Sequence, residues 1–273
     1  MMNKLSSNRG QIEAINLLNN YGIKRLGDDI TLEMLIYGLG GTIIYKDLSN
    51  CDGRIIFGKR NHIIEINNSI QLESKINFTL AHELGHLLMH KGAKIHEDTE
   101  KTTTWFNSIE KQAKEGILEF EANQFASELL MPTELFIEKQ KGKKFSPDLL
   151  RELADYFKSS ITATTFKYFE YGAHPVCLFH CYNNIVKYWK WPDGYPHYII
   201  DRTRLAPPED SVAAEFFNEG KIYKKRESKQ QVWKSTWFEL RDYEDDRDYN
   251  FYEYCIATQK YNTALSVVWE ELK

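Results

Sequence analysis

The chain has 273 residues, 42% of them apolar and 27% charged, with Lys+Arg 35 against Asp+Glu 39 for a formal net charge of −4. That length suits one to three compact units, and that apolar share supports proper cores, so wholesale disorder is excluded. The charge balance excludes a general DNA coat, and no apolar run approaches the roughly 18 residues of a membrane span, which excludes an integral membrane protein.

Residues 1–7 carry no apolar stretch behind Lys4 and do not read as a secretory signal. Four cysteines, Cys51, Cys177, Cys181 and Cys255, are too few and too scattered for a disulfide framework. Both features point to a cytoplasmic protein with buried thiols. Residues 8–39 read as helical, since Ile12, Ile15, Leu17 and Leu18, then Leu32, Leu35 and Ile36, recur at helical spacing. Three β-rich runs follow at 42–45, 54–58 and 62–67, with Asp52-Gly53 and Lys59-Arg60-Asn61 as turns. A long helix is predicted over 72–90, with Gly92 as its stop. After a polar, threonine-rich stretch at 93–108, a second strong helix runs from about 109 to 130. It must end near Met131-Pro132. Two short helices occupy 147–170. Beyond His174 the composition turns aromatic and β-branched, and strands are predicted at 176–179, 185–191, 198–200, 232–238, 252–258 and 265–269, with one helix at 208–218.

The decisive string is His82-Glu83-Leu84-Gly85-His86. On a helix, residues i and i+4 share a face one turn apart, so two imidazoles so placed reach one tetrahedral Zn²⁺. Glu83 is offset by about 100° and flanks the position of the attacking water, whose proton it can take. Leu80, Leu84, Leu87 and Leu88 supply a core-facing side to the same helix. Zinc needs a third protein ligand. His90 shares the face but lies about 12 Å along the axis from His82, too far for one ion. It reads instead as a helix C-terminal residue whose imidazolium favours the macrodipole. His96 could loop back, but nothing in its setting argues for that.

The second helix offers a better ligand. Glu119 and Asn123 sit one turn apart on one face, and Ala122 and Ala126 beside them allow close helix–helix approach. Asn123 is then placed to hydrogen-bond a histidine's outer N–H. Glu121 is offset by about 200° from Glu119 and reads as a solvated surface charge.

The pair of blocks Ala81-His82-Glu83-Leu84-Gly85-His86-Leu87-Leu88 and Glu119-Phe120-Glu121-Ala122-Asn123-Gln124-Phe125-Ala126, the latter running on to Leu130-Met131-Pro132, resembles the ImmA/IrrE family of metallo-endopeptidases. The preceding strand Ile63-Ile64-Glu65-Ile66-Asn67 also fits, and Leu153-Ala154-Asp155-Tyr156-Phe157 resembles the family's small helix-turn-helix-like unit. The resemblance spans about residues 10–170. It implies zinc on His82, His86 and Glu119, with Glu83 as general base. It also implies a substrate, a helix-turn-helix repressor cut at one site in answer to DNA damage, stress or the state of a mobile element.

The expected architecture is therefore α+β: a zincin-like metalloprotease core at 1–132, a helix-turn-helix-like helical unit at 133–172 packed on it, and a C-terminal α+β domain at 173–273. The last is expected to be sensor-like, similar in kind to the GAF domain of the IrrE branch. The strand at 62–67 (Ile63, Ile64, Glu65, Ile66) is expected to be the edge to which an extended substrate adds. Residues 147–170 carry only Lys167 as a base on their second helix, so packing is expected there rather than DNA reading. His174, Cys177, His180 and Cys181 have metal-like composition, but a strand puts them on two opposite faces, which favours buried thiols. The basic run 221–226, with Tyr223, Trp233 and Trp237 near it, suits single-stranded nucleic acid, and a small-molecule effector is the other partner expected for this domain. The acidic run 242–248 is expected to pair with it or to be solvated. The competing reading is a non-proteolytic, zinc-containing regulator that works by protein or nucleic-acid binding through 173–273. An intact Glu83 argues against it, because a structural zinc site needs no base.

Overall fold

The structure is a computed structural model that describes residues 9–49, 51–91 and 114–271. The chain forms two compact units, Met1–Glu138 with Asp155–Ser160 and Lys139–Ala154 with Ile161–Lys273. Helices and sheets are mixed, as expected. Gly92, His96, the stretch 93–108 and the start of the helix expected from 109 lie outside the described residues.

In the first unit the helical stretch is two helices, α1 (Arg9–Asn20) and α2 (Leu32–Gly38). Gly22 and Gly27, both at positive φ, turn the chain between them, and the Thr31 hydroxyl caps α2 by accepting from Met34 N. Strands β1 (Gly41–Lys46), β2 (Gly53–Ile56) and β3 (His62–Asn67) form a sheet in the order β1-β3-β2. β3 runs parallel to β1 and antiparallel to β2.

This order corrects the expectation that Ile63, Ile64, Glu65 and Ile66 form a substrate-accepting edge. β3 is the central strand, and its neighbours take both sides of its hydrogen-bond ladder. Ile64 and Ile66 point into the core, fully buried. Glu65 is buried too and binds both neighbours, Lys46 of β1 at 2.9 Å and Arg54 of β2 at 2.6 Å. It clasps the sheet rather than facing a substrate.

Two long helices carry the remainder of this unit: α3 (Glu73–Met89) and α4 (Lys114–Leu130). Leu80, Ala81 and Leu84 of α3 pack with Phe125, Ala126 and Leu129 of α4 in one core with α1 and the sheet. Leu88, expected on that side, is 38% exposed. After Met131-Pro132 comes α5 (Thr133–Gln140), which no periodicity announces. Its first turn is capped by Glu128, whose carboxylate accepts from Thr133 N at 2.8 Å.

α6 (Pro147–Phe157) and α7 (Ile161–Tyr171) divide the expected 133–172 unit, since residues 139–154 and 161–171 cluster with the C-terminal sheet. The reason lies in local packing: Phe145 meets Tyr168 at 4.9 Å and Trp269 at 4.8 Å between ring centroids, and Arg151 donates to Lys225 O and Ser228 Oγ. The sheet has β4 (Cys177–Tyr182), β5 (Ile185–Lys190), β6 (Gln230–Val232), β7 (Phe251–Thr258) and β8 (Thr263–Glu270) in the order β5-β4-β8-β7-β6, antiparallel throughout. The expected β7–β8 hairpin turns at Asn262, which sits at φ 48. The expected strand at 232–238 is corrected: Lys234–Trp237 is a helical turn that buries Lys234 against Glu244 at 2.6 Å. The run at 198–200 contributes a single bridge, Ile199 to Phe238.

Helix α8 (Val212–Glu219) is seated by a fully buried carboxylate. Glu253 accepts from Val212 N at 3.1 Å, Ala213 N at 3.0 Å, Trp237 Nε1 at 2.9 Å and Ser266 Oγ at 2.5 Å. No helix among the described residues is long and apolar enough to cross a membrane.

The Glu65 clasp has a pH signature. The hydrogen bond from Lys46 is the main influence holding its carboxyl below the usual range; burial opposes it and Arg54 assists. A depressed folded pKa contributes stability above the unfolded pKa, and that contribution is lost as pH falls through the folded value. Glu65→Gln is therefore expected to cost about 1–2 kcal/mol at neutral pH, the partners being partly solvated. Urea melts should show the gap between wild type and variant closing as the solution is taken to acid pH.

Candidate metal centre

The centre rests on how closely α3 and α4 approach. Gly85 faces α4, and a Cβ there would lie 3.1 Å from Phe125 Cδ1 and 3.3 Å from Ala122 Cα. With nothing but hydrogen at Gly85, the two helices bring His82, His86 and Glu119 together. Their ligand atoms all lie within 4.8 Å of one another, and they form such a group among the described residues. His82 Nε2 is 3.0 Å from His86 Nε2 and 3.1 Å from Glu119 Oε2, and His86 Nε2 is 3.3 Å from Glu119 Oε1.

These spacings fit a metal. Tetrahedral Zn²⁺ with bonds of 2.0–2.1 Å sets its ligand atoms about 3.3 Å apart. Two imidazole lone pairs and a carboxylate turned on one point form a donor set that a cation satisfies. Three protein ligands also leave one of four positions open, the pattern of catalytic rather than structural zinc. Burial resists ionisation of Glu119, but hydrogen bonds to His82 and His86, with their charge, outweigh it and hold its carboxyl well below the usual range.

His82 is held from behind: its Nδ1 lies 2.9 Å from Asn123 Oδ1, in a wholly buried contact. Glu83 is buried beside the two histidines.

Two expectations are corrected. Glu121 is no solvated charge; it is buried, 2.9 Å from His90 Nε2 and 3.1 Å from Arg9 Nη1. Nor does His90 stand as a free imidazolium at the helix end. It is buried between His86 and Glu121, and burial, the main influence, pushes its pKa below the ordinary imidazole value against the pull of Glu121. Arg9 escaped the sequence reading altogether. Its contact depends on Gly10, where a Cβ would lie 1.9 Å from Glu121 O, so α1 lies directly on the α4 backbone.

The other sequence signals fall away from metal chemistry. His174 Nε2 lies 2.9 Å from Glu270 O, and His180 stacks on Tyr188 with its pKa lowered to about 4, first by burial and then by Lys187. Burial pushes the Cys181 thiol up to about 12 and the Cys177 thiol higher still. Lys167 is buried, its ammonium 4.7 Å over the Tyr171 ring, and does not face a DNA groove. The acidic run is occupied locally: Glu244 binds Lys234, Asp245 binds Arg247, and Asp246 accepts from Ser235.

Residues 38–168 match the family model described as the IrrE N-terminal-like domain of peptidase M78. Residues 38–168 are thus an ImmA/IrrE-type domain. The radiation response metalloprotease IrrE of Deinococcus deserti is 30% identical over 168 residues, a match that takes in 60% of this chain. That match spans 55% of the relative, so the chain covers about half of that protein's length. A solved structure titled as a Mycobacterium tuberculosis transcriptional regulator superposes with a TM-score of 0.59 at 12% identity, covering 96% of this chain and 76% of that one. At that identity the likeness is one of fold alone.

The Gly85 contact is open to a direct test. Gly85→Val places branched methyls against Phe125 and Ala122 and is expected to cost about 1–3 kcal/mol by overpacking. Melting temperature and zinc bound per chain should fall together, because the same spacing sets the core and the donor atoms.

Proposed function

We propose that this ImmA/IrrE chain is a zinc-dependent endopeptidase that cuts a partner protein at a specific site. The observation that carries this reading is the convergence of His82, His86 and Glu119 with Glu83 between the histidines. His82, His86 and Glu119 would hold the ion. Zinc, when bound, supplies a Lewis acid that acidifies water and polarises the scissile carbonyl. Glu83 takes the proton of the attacking water and hands it to the departing amine, as a general base and then a general acid. Asn123 accepts the Nδ1 proton of His82 and so leaves the Nε2 lone pair facing the other donors. An extended substrate adds to an outer strand of the first sheet. β2 is the better placed, because it packs on α3, with Gly53 directly against Thr79.

Family resemblance supports a helix-turn-helix repressor as the substrate, its cleavage switching on a stress, DNA-damage or mobile-element response in the cytoplasm. The C-terminal unit is the proposed sensor or docking domain, GAF-like in kind, for single-stranded nucleic acid or a small effector. Lys224, Lys225 and Arg226 stand exposed there, and Glu244, Asp245 and Asp246 of the acidic run bind other partners.

Purified protein loaded with zinc is expected to cut such a repressor at one peptide bond and to leave casein intact. Glu83→Gln should keep one zinc per chain while cleavage drops about 10²–10⁴-fold. Loss of zinc with Glu83→Gln, or undiminished cleavage, would overturn the catalytic reading and favour a regulator without protease activity. Metal analysis of Glu119→Ala should show zinc lost under dialysis that wild type withstands; retention at wild-type affinity would remove Glu119 from the ligand set.

A further inference from the structure

His90 follows His86 by one helical turn and lies too far from His82 to share its ion. It has a different position: its Nδ1 is 2.9 Å from His86 Nδ1, and its Nε2 is 2.9 Å from Glu121 Oε2. The same Glu121 oxygen accepts from Arg9 Nη1 at 3.1 Å, and Arg9 Nη2 donates to Met89 O at 3.0 Å, tying the arginine to the end of α3. His90 and Glu121 are both buried.

The protons in this chain of contacts have one consistent placement. A His86 that ligates through Nε2 keeps its proton on Nδ1 and donates it. His90 Nδ1 must then accept, which puts the proton of His90 on Nε2, where the Glu121 carboxylate receives it. Arg9 balances the charge of that carboxylate. The opposite tautomer of His90 would set two N–H groups against each other at 2.9 Å.

We infer that His90 and Glu121 are positioning residues for His86. They fix its ring orientation and its Nδ1–H tautomer, and they draw on that proton so that Nε2 becomes a stronger donor. The two histidines of the helix are therefore unequal: a neutral amide backs His82, and a relay ending in a carboxylate backs His86. The inference rests on the reading of His86 as a metal ligand.

The test uses full-length protein stripped of metal: wild type, His86→Ala, His90→Ala, His90→Gln and Glu121→Gln. Zinc affinity is measured by competition with a chromogenic chelator, the Co²⁺-loaded forms by visible absorption, and the metal-free forms by thermal melting. Glu121→Gln preserves volume and is expected to weaken zinc about ten- to a hundred-fold and to shift the Co²⁺ bands, with little change in metal-free melting. His90→Ala should weaken zinc at least as much. His90→Gln, whose amide oxygen can accept from His86 Nδ1, should recover part of the loss. Wild-type zinc affinity and wild-type Co²⁺ spectra in both His90→Ala and Glu121→Gln would overturn the inference, even if melting fell, since a purely structural role moves melting alone. A different result, wild-type zinc affinity in His86→Ala, would overturn the ligand reading and take this inference with it.

Discussion

A metal centre assembled from two helices needs backbones that nearly touch, because a glutamate reaches only a short way past its Cα. Here that approach occurs where Gly85 of one helix meets Ala122 of the other. Leu80 and Leu84 on one helix and Phe125 and Leu129 on the other are fully buried around it. Removing such side chains from water contributes on the order of 1.5–3 kcal/mol each. That contribution offsets the cost of enclosing two imidazoles, a carboxylate and an amide within the same packing. The apolar core and the polar centre are thus one construction, and a change in helix spacing acts on both.

Two carboxylates, Glu119 in the first unit and Glu253 in the second, show how differently such groups can be used. Glu253 is surrounded by two backbone amides, an indole N–H and a hydroxyl, so its oxygens face protein donors and it seats a helix. Glu119 is 13% exposed at its side chain and faces two histidine nitrogens. Every donor around Glu253 is fixed in the fold, as a structural acceptor requires. The neighbours of Glu119 are imidazole nitrogens of the proposed ligand set, and the three together form a group that could hold a cation.

What could be read from the sequence follows the reach of each physical signal. Helical periodicity is local, so the long helix bearing His82 and His86 and the shared face of Glu119 and Asn123 were legible. The small residues Ala122 and Ala126 signalled a close helix–helix approach, whereas the matching gap at Gly85 shows only in the structure. Strand alternation reports which side of β3 is buried but is silent on its neighbours, β1 in parallel on one edge and β2 antiparallel on the other. The places of Glu121 and His90 were hidden for a related reason. Glu121 does lie on the far side of α4 from Glu119, but α1 covers that side, and the contact is set by a glycine more than a hundred residues away. Residues 232–238 have the aromatic and threonine content of a strand, yet burial of Lys234 beside Glu244 favours a helical turn.

The contact between Arg9 and Glu121 spans 112 positions of sequence, and it gives assembly of the centre an order in time. At about 5–20 residues per second, synthesis needs roughly 6–22 s to pass from one to the other. Late in that interval the helix with the paired histidines has been made, but neither the proposed third ligand nor the carboxylate end of the proposed relay exists. The first helix must also wait, since the surface it covers belongs to α4. The proposed metal site therefore cannot be complete in a nascent chain before α4 has been made. Its completion waits on the fourth helix, which carries the partners of both the first and the third.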